Sequence, residues 1–384
     1  YLHNFLDSQP DLNFHCPIVH REALAIAKWW LDRGVDGFRL DTVNFYFHDQ
    51  ELRDNPLAPH PDNQVVSADN PYSLQDHVYD KNQPQVCDFL SDLGTLLAEY
   101  PGAIALGEVG ATEQRARDLM QQYQQPGRLH LCYTFDLLSA HYSASHFRKM
   151  LARDATEATD VWRCLAFSNH DVKRTASRLN LTEASTRDVA SSAMALLLSL
   201  RGTPCIYQGE ELGLTEASIP YEQLVDPYGI AFWPKFKGRD GCRTPMPWKN
   251  NETEAGFTAA KPWLPIPPEH KEKAVNLQQG QTDSLLHKTQ SLIEIHRSHP
   301  AFHSDHIDVV DSPEELLVFE RGTGEDCILC IFNLSDKIID FEHPAKWRRA
   351  STIKSSGTVH TENDQATSRY EPWSWHLITS HTNV

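Results

Sequence analysis

Five short apolar stretches, each ending in an acidic residue and most separated by helical patterns, constrain this chain more than any other feature. They are "GFRLD" ending at Asp41, "AIALGE" at Glu108, "RLHLCYTFD" at Asp136, "WRCLAFSNHD" at Asp171 and "GTPCIYQGE" at Glu210. Each is largely apolar along its length and turns polar at its C-terminal end, as parallel strands covered on both faces should be before they emerge. Ahead of the first, Val19, Ala23, Ile26, Ala27 and Trp30 recur at three- and four-residue steps, which predicts an amphipathic helix over Val19 to Arg33. Gly34 stands where its C-cap belongs. "QVCDFLSDLGTLLAEYPG" and "STRDVASSAMALLLSLRG" continue the alternation, which implies a parallel sheet. Burying isolated carboxylates is costly, so the strand-end acids should emerge at a solvated rim. In a (β/α)8 barrel that rim is the active face. Asp136, and equally Asp49, also reads as a helix N-cap.

After Phe302 the pattern changes to short alternating stretches, among them "ELLVFERG", "CILCIFNLS" and "SWHLITS", which predict an antiparallel β module. The division expected is residues 1–302 for the barrel portion and 303–384 for an all-β domain of sandwich type. Two long connections stand out. One runs from Phe45 to Gln85, rich in Asn, Pro, Asp and His; the other is "YGIAFWPKFKGRDGCRTPMPW". Loops longer than turns require usually shape a site. The aromatics of the second make it a candidate rim, since sugars stack on aromatic faces.

Composition removes several classes of function. A net charge of -17 without a Lys/Arg-rich tract opposes nucleic acid and anionic membrane as partners and favours a neutral small molecule. No apolar run approaches the roughly 18 residues of a membrane span, and the first residues lack the basic-then-apolar order of a secretory signal. The eight cysteines are scattered through apolar segments, as reduced thiols in the cytoplasm would be. Cys327 and Cys330, three apart in a strand, should face opposite sides and share no metal. EF-hand and zinc spacings are absent, so no cofactor is expected.

Asp41, Glu108 and Asp171 occupy comparable strand-end positions, each with polar companions. Glycoside hydrolysis needs such a set: one carboxylate to attack or stabilise an oxocarbenium-like carbon, and one protonated acid to assist the leaving oxygen. In retaining enzymes the pair stands about 5 to 5.5 Å apart. With "QPDLN" (Gln9 to Asn13), "GFRLD", "GE", "NHD" and "RTPMPW" in this order, the chain resembles the α-amylase family, glycoside hydrolase family 13, and within it bacterial α-glucosidases.

The resemblance implies Asp41 as nucleophile, Glu108 as general acid and then base, and Asp171 as a hydrogen-bond acceptor for two sugar hydroxyls. It implies that Arg39 keeps Asp41 ionised and oriented, that His170 donates to the bound glucose and that Arg243 anchors it. Thr42, beside the nucleophile, would favour α-1,4 over α-1,6 bonds, and Phe45 to Phe47 would begin the lining of the acceptor side. The family's first motif, "D-x-V-x-N-H", does not occur, so the chain reads as strands four to eight of the barrel, a fragment of a longer enzyme. Structural calcium, common in the family, would belong to the part not represented. Other readings are a sucrose- or trehalose-handling hydrolase or isomerase, and a non-catalytic amylase-like subunit.

Overall fold

Pro17, whose missing N–H costs nothing in a first turn, opens the first helix of the computed structural model, α1 (Pro17–Leu31). The structure describes residues 1–58, 71–111, 113–139, 141–156, 161–179, 186–348, 350–357, 360–361 and 367–380. The middle of the long Phe45 to Gln85 connection, 59–70, lies outside the described residues. Gly34 ends α1 in the left-handed region at φ 89°, its N–H donating to the Leu31 carbonyl at 2.9 Å. The helix is apolar on both sides. Ala23, Leu24, Ala27 and Leu31 pack into the core, whereas Ile26 is 60% and Trp30 47% exposed. The helical period was therefore legible, but Ile26 and Trp30 lie on the outer side.

The chain divides into two units, residues 1–136 with 159–165, and residues 137–158 with 166–384. In the first, β1 (Gly37–Leu40), β2 (Ile104–Glu108), β3 (Leu131–Tyr133) and β4 (Arg163–Leu165) pair in parallel in chain order. Helices α2 (Val86–Leu97) and α3 (Glu113–Tyr123) belong to the same unit. Its core gathers Leu40, Val43, Phe89, Leu90, Leu93, Ala105, Met120 and Cys132. Two glycines allow β1 and β2 to approach, one at the entry of β1 and one near the exit of β2. At Gly37, φ 145°, a Cβ would stand 2.0 Å from the Ile104 carbonyl oxygen. At Gly107 it would meet Leu129 at 2.5 Å and Val43 at 3.1 Å. A side chain at either would push β1 from β2, or the turn after β1 from the acid-bearing end of β2.

The second unit contains α4 (Ala144–Thr156), α5 (Thr175–Arg178), α6 (Thr186–Ser199), the two-residue β5 (Thr203–Pro204) and α7 (Pro227–Ala231). From Val189 to Leu200 every residue of or just beyond α6 is buried, as suits a helix apolar all round. Eight antiparallel strands follow: β6 (Ile307–Val309), β7 (Leu316–Arg321), β8 (Ile328–Asn333), β9 (Ile339–Glu342), β10 (Ser351–Ser355), β11 (His360–Thr361), β12 (Thr367–Tyr370) and β13 (Trp375–Thr379). They form a five-stranded sheet ordered β10-β13-β8-β7-β6 and a three-stranded sheet ordered β11-β12-β9. Leu316, Val318, Cys327, Leu329 and Ile331 of the larger sheet share a core with Phe341, Trp347 and Tyr370. Cys330 lies outside that cluster, and all eight cysteines are free thiols.

Arg321 is fully buried. Its guanidinium donates to the carbonyls of Ser199, Ala301, Phe302, Ser304 and His306. Desolvation pulls its pKa down to about 10, and the ring of carbonyl dipoles is what allows an ion there.

Candidate active site

The first unit brings three expected residues together. Arg39 and Asp41 lie two apart at the end of β1, so they leave the strand on one face. Arg39 donates through Nη1 to Asp41 Oδ1 at 2.6 Å and through Nη2 to Glu108 Oε2 at 2.9 Å. One guanidinium thus binds both carboxylates. Their surroundings differ: the Asp41 side chain is 73% exposed and that of Glu108 only 4%. Glu108 sits at the last position of β2, in register with Tyr133 of β3.

Thr42 adds a third contact. Its backbone is left-handed, φ 42° and ψ 47°, a conformation that costs a β-branched residue on the order of 1–3 kcal/mol and persists only where neighbours enforce it. In return its N–H points at Glu108 Oε2, 3.1 Å away. The strain is therefore spent on the acid pair. The turn then runs into a 3-10 segment, Val43–Phe45.

The aromatics that follow, at the start of the long connection, pack largely inward. Phe47 is 4% exposed, and Tyr46 stacks on Phe14 at 5.0 Å and meets Phe89 edge-on at 5.7 Å. Phe45, half-buried like Tyr46, packs against Phe5 at 5.2 Å. Burial first, then the Asp41 charge, push the Tyr46 hydroxyl pKa far up. Asp49 accepts from Arg53 three times, from N and Nε at 3.1 Å and Nη2 at 2.6 Å. This pairing holds its carboxyl at about 2, and its role is to fix that turn.

In the second unit, Asn169 of "NHD" accepts from the backbone N–H groups of Asp171 and Val172 at 2.8 and 3.1 Å, an Asx turn that presents the aspartate. Asp171 Oδ1 receives Arg243 Nη2 at 2.8 Å and Arg239 Nη1 at 2.9 Å, and His170 Nε2 lies 3.3 Å from Oδ2. Arg243 also donates from Nε to the His170 carbonyl at 2.6 Å. His170, Asp171 and Arg243 are therefore one cluster.

Arg239 and Asp226 went unrecognised in the sequence. The Asp226 side chain is wholly buried. It accepts from Tyr228 N at the start of α7, and from Arg239 N at 2.7, Nε at 3.0 and Nη2 at 2.9 Å. Burial raises its pKa and the Arg239 bonds outweigh that, leaving it lowered. The fork orients Arg239 toward Asp171. The only signal was "GRDG" within a long loop, and nothing local distinguishes that arginine.

Glu108, at the end of β2, is already buried rather than solvated as the rim expectation had it, and two further strand-end acids depart from that expectation. Glu210 is buried at the start of a 3-10 turn, accepting from Tyr207 N at 2.9 Å and Thr175 Oγ1 at 2.7 Å, and burial raises its pKa. Asp136, a tenth exposed, begins another 3-10 turn, 3.5 Å from Arg163. Both are structural. The second-unit loop does present aromatic surface: Trp233 is 37% and Phe236 41% exposed, and Tyr221 lies 5.5 Å from Trp233. Among the described residues no group of three or more His, Cys, Asp and Glu side chains could hold a metal ion, and no helix is long and apolar enough to cross a membrane.

A parallel sheet with acids at its strand exits, followed by an antiparallel sandwich, defines a barrel-type carbohydrate enzyme architecture. The alpha-amylase catalytic domain description matches residues 1–305, and the chain belongs to that family, with the C-terminal portion of its (β/α)8 barrel and a β-sandwich domain. It is 47% identical over 364 residues to a probable alpha-glucosidase of Rhizobium meliloti (strain 1021), covering 94% of this chain and 65% of that protein. It is 28% identical over 408 residues to an oligo-1,6-glucosidase of Parageobacillus thermoglucosidasius, covering 97% and 70%. The crystal structure of the alpha-glucosyl transfer enzyme XgtA superposes with a TM-score of 0.90 at 42% identity, over 99% of this chain and 70% of that one. The chain thus spans about two thirds of the length of the relatives it matches.

Proposed function

We propose that this protein is a retaining, exo-acting α-glucosidase that cleaves α-1,4-linked glucosides through a covalent glycosyl-enzyme and can pass the glucosyl group to a sugar acceptor. The observation that carries the reading is Arg39 bound to Asp41 and Glu108 at once. A single guanidinium spanning both acids supports the short spacing of a retaining pair, about 5 to 5.5 Å, over the wider spacing of an inverting one.

Asp41, the exposed acid, attacks the anomeric carbon from the face opposite the leaving oxygen, and Arg39 keeps its attacking oxygen oriented. Glu108 protonates the departing oxygen, then takes a proton from the water or sugar that releases glucose from Asp41. Asp171, held by Arg239 and Arg243, accepts from hydroxyls of the glucosyl ring in bonds that strengthen as the ring flattens, while His170 donates to the sugar. Arg243 closes the glucose end. No cofactor takes part. The relatives named alpha-glucosidase support the hydrolysis, and the one named an alpha-glucosyl transfer enzyme supports the transfer.

A 5-fluoro-α-glucosyl fluoride, which slows release of the intermediate more than its formation, tests the mechanism. It should leave one glucosyl adduct on the peptide containing Asp41; an adduct elsewhere, or none despite turnover of ordinary substrate, removes Asp41 as nucleophile. Linkage is a separate point, because curated relatives include oligo-1,6-glucosidases. With Thr42 at the mouth of the acceptor site, maltose should be cleaved faster than isomaltose, and equal rates would sink that assignment.

A further inference from the structure

Asn44 is fully buried, three residues after the candidate nucleophile, and the chemistry described so far gives it no task. Its side-chain amide forms a two-point pair with the Gly110 peptide: Gly110 N donates to Asn44 Oδ1 at 3.2 Å, and Asn44 Nδ2 donates to the Gly110 carbonyl at 3.2 Å. Nδ2 also donates to Asn82 Oδ1 at 2.7 Å, and Asn82 N donates back to the Asn44 carbonyl at 2.7 Å. Lys81 Nζ reaches the same Gly110 carbonyl at 3.3 Å. Gly110 lies two residues beyond Glu108. The amide therefore ties the segment after one acid to the segment after the other.

We propose that Asn44 is a positioning residue for the acid pair: its amide clamps the turn after Asp41 against the exit of β2 and so holds the Thr42 N–H on Glu108. This rests on the reading of Glu108 as the general acid. The side chain must accept from one peptide group and donate to the next at once. A carboxylate cannot donate, and an aliphatic residue can do neither. Thr42 sits in a left-handed conformation that a β-branched residue leaves unless held at both ends. Its N–H is held on Glu108 Oε2, its carbonyl accepts from Phe45 N at 2.8 Å within the turn, and Asn44, two residues on, ties that turn to Gly110. Without the clamp the turn relaxes, the N–H leaves Oε2, and the acid loses its alignment with the leaving oxygen while Asp41 and Arg39 remain.

The consequence depends on the leaving group. Maltose departs as a sugar alkoxide and needs the proton of Glu108; α-glucosyl fluoride departs as fluoride and needs it far less. Asn44→Ala should lower kcat/KM for maltose by about 30-fold, part of the range that general acid catalysis supplies, and for α-glucosyl fluoride by less than about 3-fold. The alkaline limb of the maltose profile should move to higher pH, because a carboxylate that loses a donor is protonated more readily. Equal losses on both substrates would make Asn44 merely structural and overturn the inference.

Glu108→Gln measured alongside separates the two claims. If it shows no such skew, the acid assignment fails and the inference with it. If it does and Asn44→Ala does not, Asn44 alone was misread. Should Asn44→Ala not fold, Asn82→Ala decides, because it removes only the outer partner. The same skew at several-fold supports the clamp, and no skew overturns it.

Discussion

The acid pair of the first unit and the acid cluster of the second are built on opposite charge ratios. Around Arg39, one guanidinium serves two carboxylates. Around Asp171, two guanidinium groups and a histidine serve one carboxylate. Two carboxylates on one cation leave a unit of negative charge that a single proton neutralises, which suits a centre that must hand a proton over. One carboxylate on two fixed cations is saturated with donors and suits a group that only accepts hydrogen bonds. Under the proposed mechanism the contrast sets bond-breaking apart from substrate-holding on electrostatic grounds, and each side can be attacked separately.

Removing the proposed nucleophile is the harshest test. Asp41→Asn preserves shape and should cost at least about 10⁴-fold in kcat, in line with the loss of a covalent nucleophile elsewhere. A residual rate of a few per cent would place the attacking group elsewhere. Arg39→Met comes next. It leaves both acids but removes the cation they share, including that of the buried Glu108, and should lower kcat by about 10²- to 10³-fold, the scale of losing one preorganised donor at a developing charge. An equal fall for Arg39→Lys would show that the two-pronged geometry matters, since an ammonium cannot bind both carboxylates as a fork does. Full activity in the lysine variant would reduce the first half of the comparison to a matter of charge alone.

On the second side one of the two cations, Arg239, depends on Asp226. Asp226→Ala breaks a buried ion pair and an N-cap together, which should destabilise by about 3–5 kcal/mol. It also frees Arg239 from its fork, so KM should rise more than kcat falls. A variant with unchanged thermal midpoint and unchanged KM would mean that Arg239 does not hold Asp171 in solution.

What the sequence disclosed follows the same division. Asp41 and Glu108 were legible because each closes an apolar strand, a local pattern, and Asp171 because it closes an apolar stretch of sequence, although the strand there stops at Leu165 and an Asx turn presents the aspartate. Arg39 followed from the two-residue pleat. Arg239 and Asp226 were hidden because their pairing spans 13 residues and Arg239 reaches back to Asp171 across 68, with no period to betray it. The outward side of α1 misled in another way. Ile26 and Trp30 continue a helical period, and period alone does not say which of two apolar sides faces the core. Glu210 had the strand-end pattern without the exposure, since its hydroxyl and amide donors lie far along the chain or are backbone groups.

The smallest expected effect concerns pH, and it too differs between units. In the second, His376 is 1% exposed, and neither ring nitrogen has a hydrogen-bond partner. Burial, reinforced by nearby His343, lowers its pKa to about 4. Burial likewise takes His270 to about 4. Both bind a proton more readily unfolded, near 6.5, than folded. Stability is therefore intact above pH 6.5 and falls as the pH drops toward 4, by up to about 3 kcal/mol for each fully buried ring. In the first unit, burial of Lys81 lowers its pKa to about 8. The unfolded chain holds that proton up to about pH 10.5, so stability from this group rises between pH 8 and 10.5. His376→Phe should flatten only the acid limb of a plot of unfolding free energy against pH, and Lys81→Met only the alkaline limb. If His376→Phe left the acid limb as steep as before, the proton uptake that drives acid unfolding would have to lie with His270 or with the paired carboxylates of the first unit.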